Sequence, residues 1–162
     1  MFQSRIGAVV LLVLLVGCAS GTPTTPASPT ASPAPSASPS SSPEVYRAVL
    51  SGDAEVPPVT TAASGTATAT PSSDGKQITF NAQITGLSGP ITHALVLEAP
   101  AGQTGEVVKA LIVSGNSVSG VWSAADAGRP LGASDLDALR NHGLYLEIRT
   151  DAHPGGELRG QL

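Results

Sequence analysis

The chain has 162 residues, a formal net charge of −4, only 12% charged and 3% aromatic side chains, and 18 glycines and 14 prolines. Lysine and arginine are too few and too scattered for a nucleic-acid surface, and Glu, Lys and Arg are too sparse for a helical bundle. With one cysteine there is no disulfide framework, so the composition points to a small, turn-rich β domain with an Ala/Val/Leu/Ile core and accessory segments.

Met1 to Gly17 has the layout of a bacterial export signal, with Arg5 in a short leading segment and an apolar run from Ile6 to Val16. The run is short for a bilayer span and suits a signal-peptide core. Its end, Leu15-Val16-Gly17-Cys18, resembles the lipobox of bacterial lipoproteins, in which the peptide is cut before the cysteine and the thiol is acylated. The alternative is an ordinary signal peptide followed by a chance cysteine. An unpaired thiol in an oxidising compartment is a liability that a thioether-linked lipid removes. The expected partner is therefore a membrane, reached through a lipid on Cys18, on the exported side of the cell membrane or the outer membrane; no other cofactor is expected. Once Arg5 is removed with the signal, seven basic residues face twelve acidic ones, a net charge of −5.

Residues 18–43 read as the acylated cysteine and a linker of Ser, Pro, Ala and Thr with one Gly, without charge or large apolar side chains. Such a segment cannot offset its chain entropy by burial, which predicts disorder with a polyproline II bias. About 25 residues at ~3.1 Å each would extend to roughly 75 Å and hold a folded head away from the lipid.

The folded unit is expected over 44–162. Val45 to Leu50 reads as a first strand, followed by an extended loop in which Pro57 and Pro58 resist ladder pairing. Gly65 to Thr70 is a Thr-rich strand of small residues. Ser72-Ser73-Asp74-Gly75 is a hairpin turn, and Gln77 to Thr85 then alternates, with Ile78, Phe80, Ala82 and Ile84 inward. Thr92 to Ala99 is apolar on both parities, which predicts a strand covered on both sides. Val107 to Val113 and Ser117 to Trp122 follow as strands. A helix is expected over Asp135–Asn141, with Ser134 as N-cap and Gly143 as terminator, laying Leu136 and Leu139 on the sheet. The last two strands flank His153-Pro154-Gly155-Gly156. Leu144, Leu146 and Ile148 oppose Tyr145, Glu147 and Arg149, and Leu158 and Leu162 oppose Glu157, Arg159 and Gln161. The final strand is expected to close a sheet. The fold expected is all-β: an antiparallel Greek-key-like β-sandwich or flattened barrel of about eight strands with one short helix.

Ala48-Val49-Leu50-Ser51-Gly52, Glu55-Val56-Pro57-Pro58, Gly65, Gly86-Leu87-Ser88-Gly89, Gly143-Leu144-Tyr145 and the closing His153-Pro154-Gly155-Gly156-Glu157-Leu158-Arg159-Gly160-Gln161-Leu162 together resemble the chordin-type (CHRD) domain over most of 45–162. The resemblance implies a β-sandwich module of secreted proteins. It also implies a His-x-His pair where this chain has Leu95 and Leu97, and an Asn-x-His-Thr run where it has Glu147 and Arg149. Alternate imidazoles on one face would suit a metal. Leucine offers no lone pair and a guanidinium no acceptor, so the family's histidine cluster is expected to be lost here and no metal ligands are assigned.

The pocket or polar network expected in its place comprises Leu95, Leu97, Glu147, Arg149, His153, Glu157 and Arg159, with Glu157 and Arg159 pairing across the hairpin with Arg149 and Glu147. His93 reads as a strand-end surface residue, His142 as a helix-closing cation, and His153 as a loop residue whose imidazole bonds the loop backbone. The function expected is a lipid-anchored, non-enzymatic binding or structural module of the cell envelope, meeting an unidentified envelope or extracellular partner. The alternative is a β-sandwich copper or zinc protein of redox type using the remaining His and Glu residues. A hydrolase has least support, since no G-x-S-x-G elbow exists.

Overall fold

The computed structural model describes residues 43–162. The export signal, Cys18 and the linker lie outside the described residues, except for Pro43. The head is built from nine strands: β1 Tyr46–Ser51, β2 Ser64–Pro71, β3 Gln77–Thr85, β4 Ile91–Glu98, β5 Glu106–Ala110, β6 Ile112–Ser114, β7 Ser117–Ser123, β8 Leu144–Thr150 and β9 Leu158–Gln161. One helix, α1, spans Ala133–Arg140. The strands form one antiparallel sheet in the order β5-β4-β8-β9-β1-β2-β3-β7-β6.

The two ends of that order are halves of one segment. The expected strand Val107–Val113 is divided at Leu111, which is why nine strands stand where about eight were expected. Ala110 pairs with Leu95 of β4, whereas Ile112 pairs with Ser119 of β7. Leu111 itself donates its N–H to the Ala94 carbonyl at 2.8 Å. One short stretch of chain thus serves both edges, and the sheet curls into a nearly closed barrel. Leu111 needs room to turn inward. A Cβ on Gly120 would lie 2.6 Å from Leu111 Cδ2, so the bare glycine backbone accepts the leucine.

Strand parity fills the interior. β3 alternates as expected, with Ile78, Phe80, Ala82 and Ile84 buried. Ala69 of β2 stands opposite Phe80, and Ala67 opposite Ala82, so small residues make space for a large neighbour. Trp122 is fully buried and donates Nε1–H to the Arg129 carbonyl at 2.7 Å. The Arg129 guanidinium lies 5.2 Å from the Trp122 ring centre and forks onto Asp135, at 2.8 and 3.2 Å.

The helix starts earlier than the sequence suggests. Its N-cap is Gly132, not Ser134, and the Asp135 carboxylate accepts the Gly132 N–H at 2.7 Å. At the other end His142, at φ 52°, takes the left-handed position expected of Gly143. The Gly143 N–H then reaches back to the Ala138 carbonyl at 2.7 Å and the His142 N–H to Leu139 at 3.2 Å, closing the last turn. Leu139 is buried in the main core, with Leu136 packed beside it.

Candidate functional site

β8 is buried on both faces. Leu144, Leu146 and Ile148 join the barrel core, while Tyr145 points outward into a second, smaller cluster with Leu95, Leu97 and Ala99. β4 splits in the same way, Ala94 and Val96 inward, Leu95 and Leu97 outward, so both parities of this strand are covered. In register, Leu95 stands opposite Glu147 and Leu97 opposite Tyr145. Glu147 is buried and accepts Arg149 Nε–H at 2.6 Å. On the next strand Arg159 stands opposite Glu147, its guanidinium 3.5 Å from the Tyr145 ring centre. Leu95, Leu97, Glu147, Arg149 and Arg159 therefore share the outer face of three neighbouring strands.

This face is roofed by chain. The Tyr145 hydroxyl accepts the Gly105 N–H at 3.1 Å. Gln161 distributes its amide over the carbonyls of His142, Ala99 and Leu144 at 2.7, 3.0 and 3.1 Å. The loop after β4 is thereby drawn over the sheet.

Glu157 does not join that network, which corrects the pairing expected with Arg149. Gly156, at φ +134°, sets Glu157 just before the regular ladder, where its N–H donates to the Ile148 carbonyl at 2.7 Å. The carboxylate is fully buried and accepts from Thr150 Oγ1 at 2.6 Å, Ser88 Oγ and Thr61 Oγ1 at 2.8 Å and the Ser88 N–H at 2.9 Å. Four neutral donors satisfy it without a cation. Burial pushes its pKa up, but the donors from Thr150, Ser88 and Thr61 outweigh burial and hold it below the ordinary 4.5.

His153 acts through its backbone: its N–H donates to the Thr150 carbonyl, and its carbonyl accepts from Thr150 and Gly156. His93 is exposed and opposite Arg149, and His142 Nδ1 lies 2.8 Å from the Leu162 carbonyl. Among the described residues no three His, Cys, Asp or Glu side chains converge in a way that could hold a metal. The donor set at the face does not fit one either: two leucines have no lone pair, the guanidinium groups of Arg149 and Arg159 offer no acceptor, and Glu147 is already paired with Arg149.

Glu55 was not among the residues expected at the site. It is 6% exposed, and its Oε1 is buried without a hydrogen-bond partner. A Cβ on Gly156 would lie 2.7 Å from that oxygen, so the carboxylate rests directly on the glycine. Burial, and then the negative charge of Glu147, push its pKa up to about 7, against the opposing pull of Arg159 and Arg149. An acid placed beside Val56-Pro57-Pro58, in a loop that cannot join a ladder, was the signal in the sequence. Glu55, Arg159 and Gln161 line a cavity of about 490 Å³ between the loop after β1 and the loop after β4. A larger cleft of about 890 Å³, at Thr79, Leu136 and Arg140, has no buried charge in its wall.

Fold and site together define an all-β, barrel-like module in which Glu147, Glu157 and Gln161 are turned to internal bonds. The CHRD domain family model matches the chain over residues 46–162, and the chain belongs to that family. The chain has no match among the curated proteins or among the solved structures.

Proposed function

We propose that the protein is a lipid-anchored module of the bacterial cell envelope whose CHRD head binds or scaffolds without catalysing a reaction. The observation that carries the anchor is Leu15-Val16-Gly17-Cys18 at the end of the apolar run from Ile6 to Val16, followed by an uncharged Ser/Pro/Thr/Ala segment. A passive head is supported by the fate of its polar groups. Glu157 is spent on four donors within the fold, Glu147 on Arg149 and Gln161 on three carbonyls, and a Glu157 held below the ordinary carboxylate pKa is a poor base toward the hydroxyls that bond it.

The anchor is tested by growing cells that express the full chain with a labelled fatty acid. Label should enter the protein and the protein should sediment with membranes. In Cys18→Ser both label and sedimentation should be lost while the head remains folded. Equal membrane association of the unlabelled variant would overturn the anchor.

A further inference from the structure

Three buried charges in the head have no partner of opposite sign; Glu157 is met by four neutral donors, and the other two, Arg159 and Glu55, line the same cavity. Arg159 is 2% exposed, yet its Nη2 reaches only the Pro100 carbonyl at 3.3 Å and Gln161 Oε1 at 3.5 Å. Both contacts lie at or beyond the long end for such bonds. Among the described residues it forms no ion pair, because Glu147, the carboxylate opposite it in register, is held by Arg149. Glu55 forms none either, and its Oε1 accepts nothing. Burying either charge unpaired is costly. A fold that uses four donors on Glu157 leaves Glu55 Oε1 without a donor and Arg159, stacked on Tyr145, without a carboxylate, and the space between their loops, about 490 Å³, is that of a small-molecule site.

We propose that this cavity binds a free α-amino acid, its carboxylate on the Arg159 guanidinium and its ammonium on Glu55. The planar fork of a guanidinium matches a carboxylate in two parallel hydrogen bonds. An ammonium supplies the opposite charge that the Glu55 carboxylate lacks. With Arg159 and Glu55 in its wall and the exposed Asp53 as a second acid, the cavity favours a zwitterion over a dicarboxylate, and over an amine that has no carboxylate for Arg159. Ala54, Val56, Pro58 and Ala101 make up an apolar part of the lining, which suits an aliphatic side chain. The inference rests on reading the head as a binding module and names what that module binds.

Ionisation adds a signature. Glu55 faces Glu147 and Arg149 from β8 and Arg159 from β9, while Asp53 of its own loop lines the same cavity. Its carboxyl is pushed up to about 7, by burial first and by Glu147 second, so an ammonium meets its anion mainly above that pH. Affinity should fall about tenfold from pH 8 to pH 6 as Glu55 takes up its proton.

The test uses the purified full chain in detergent, a panel of free α-amino acids at millimolar concentration, and ligand-observed NMR. The matching α-hydroxy acids and simple amines serve as controls. Aliphatic amino acids should bind, with each control at least about tenfold weaker. Glu55→Gln should weaken amino-acid binding about tenfold, abolish its pH dependence and leave the α-hydroxy acids unchanged. Arg159→Gln should abolish binding of both classes. If that variant does not fold, Glu55→Gln and the pH series on the wild type decide the matter. Absence of binding by the wild type, or equal amino-acid binding by wild type and folded Glu55→Gln, overturns the inference. The same spectra show whether any panel compound is converted. Conversion would overturn the non-catalytic reading, whereas compounds that are neither bound nor converted overturn only the ligand assigned here.

Discussion

A carboxylate withdrawn from water must collect donors or hold its proton, and the two buried glutamates beside Gly156 take opposite courses. Glu157 collects three hydroxyls and an amide. Replacing it by Gln turns an amide NH₂ toward those donors, and Glu157→Gln should cost about 2–4 kcal/mol in urea unfolding at pH 7. Its folded-state pKa is depressed, so its stabilisation is present above the ordinary value of 4.5 and is lost as pH falls through the lower folded value. The gap between wild type and Glu157→Gln should therefore narrow in acid. Glu55 has the reverse sign. With a folded pKa of about 7 against 4.5, the folded chain binds the extra proton, so stability falls as pH rises from 4.5 through 7 and is level above. That loss is on the order of 3 kcal/mol. Unfolding curves between pH 5 and 8 should show this slope in the wild type and not in Glu55→Gln.

The loop after β1 and the β8–β9 turn are joined by the seating of Glu55 on Gly156. Gly156 carries φ +134°, a conformation open essentially to glycine, and a Cβ there would also strike the Glu55 carboxylate at 2.7–2.8 Å. Gly156→Ala should destabilise by about 2–4 kcal/mol. In a Glu55→Ala background the steric part disappears and the backbone part remains, so a double-mutant cycle by chemical denaturation should return a coupling of about 1 kcal/mol. Full additivity would mean that the two segments do not press on one another. This contact links Glu55-Val56-Pro57-Pro58 to His153-Pro154-Gly155-Gly156, two motifs about a hundred residues apart in the chain.

For the molecule as a whole, β9 is central in the sheet order although it is last in sequence, lying between β8 and β1. It carries Leu158 and Leu162 into or beside the core, Arg159 onto Tyr145 and Gln161 onto three carbonyls. Deleting Leu158–Leu162 should leave a chain without a cooperative thermal transition by circular dichroism, since β8 and β1 lose their shared neighbour and the sheet is cut in its middle.

How much of this was legible follows from the range of each interaction. Alternation along β3 and apolarity on both parities of β4 are local, so the inward residues and the doubly covered strand could be read from their own segments. The division at Leu111 could not, because it exists only where β4 and β7 both approach one strand and Gly120 leaves space. The partnership of Glu157 was misread for a similar reason: strand parity assigns it to the side of Arg159, but one left-handed glycine resets the chain, and its donors come from Thr61, Ser88 and Thr150 on three other segments. Glu55 stood in the motif that suggested the family, yet its burial and its lack of a partner depend on Gly156 and Arg159 at the far end of the chain. Amino-acid order, through hydrophobic periodicity and turn chemistry, was enough to specify strands, turns and family. Which charges were paired and which were left to line a cavity depended on contacts between distant segments, because a buried charge answers to its nearest neighbours in space and not to those in sequence.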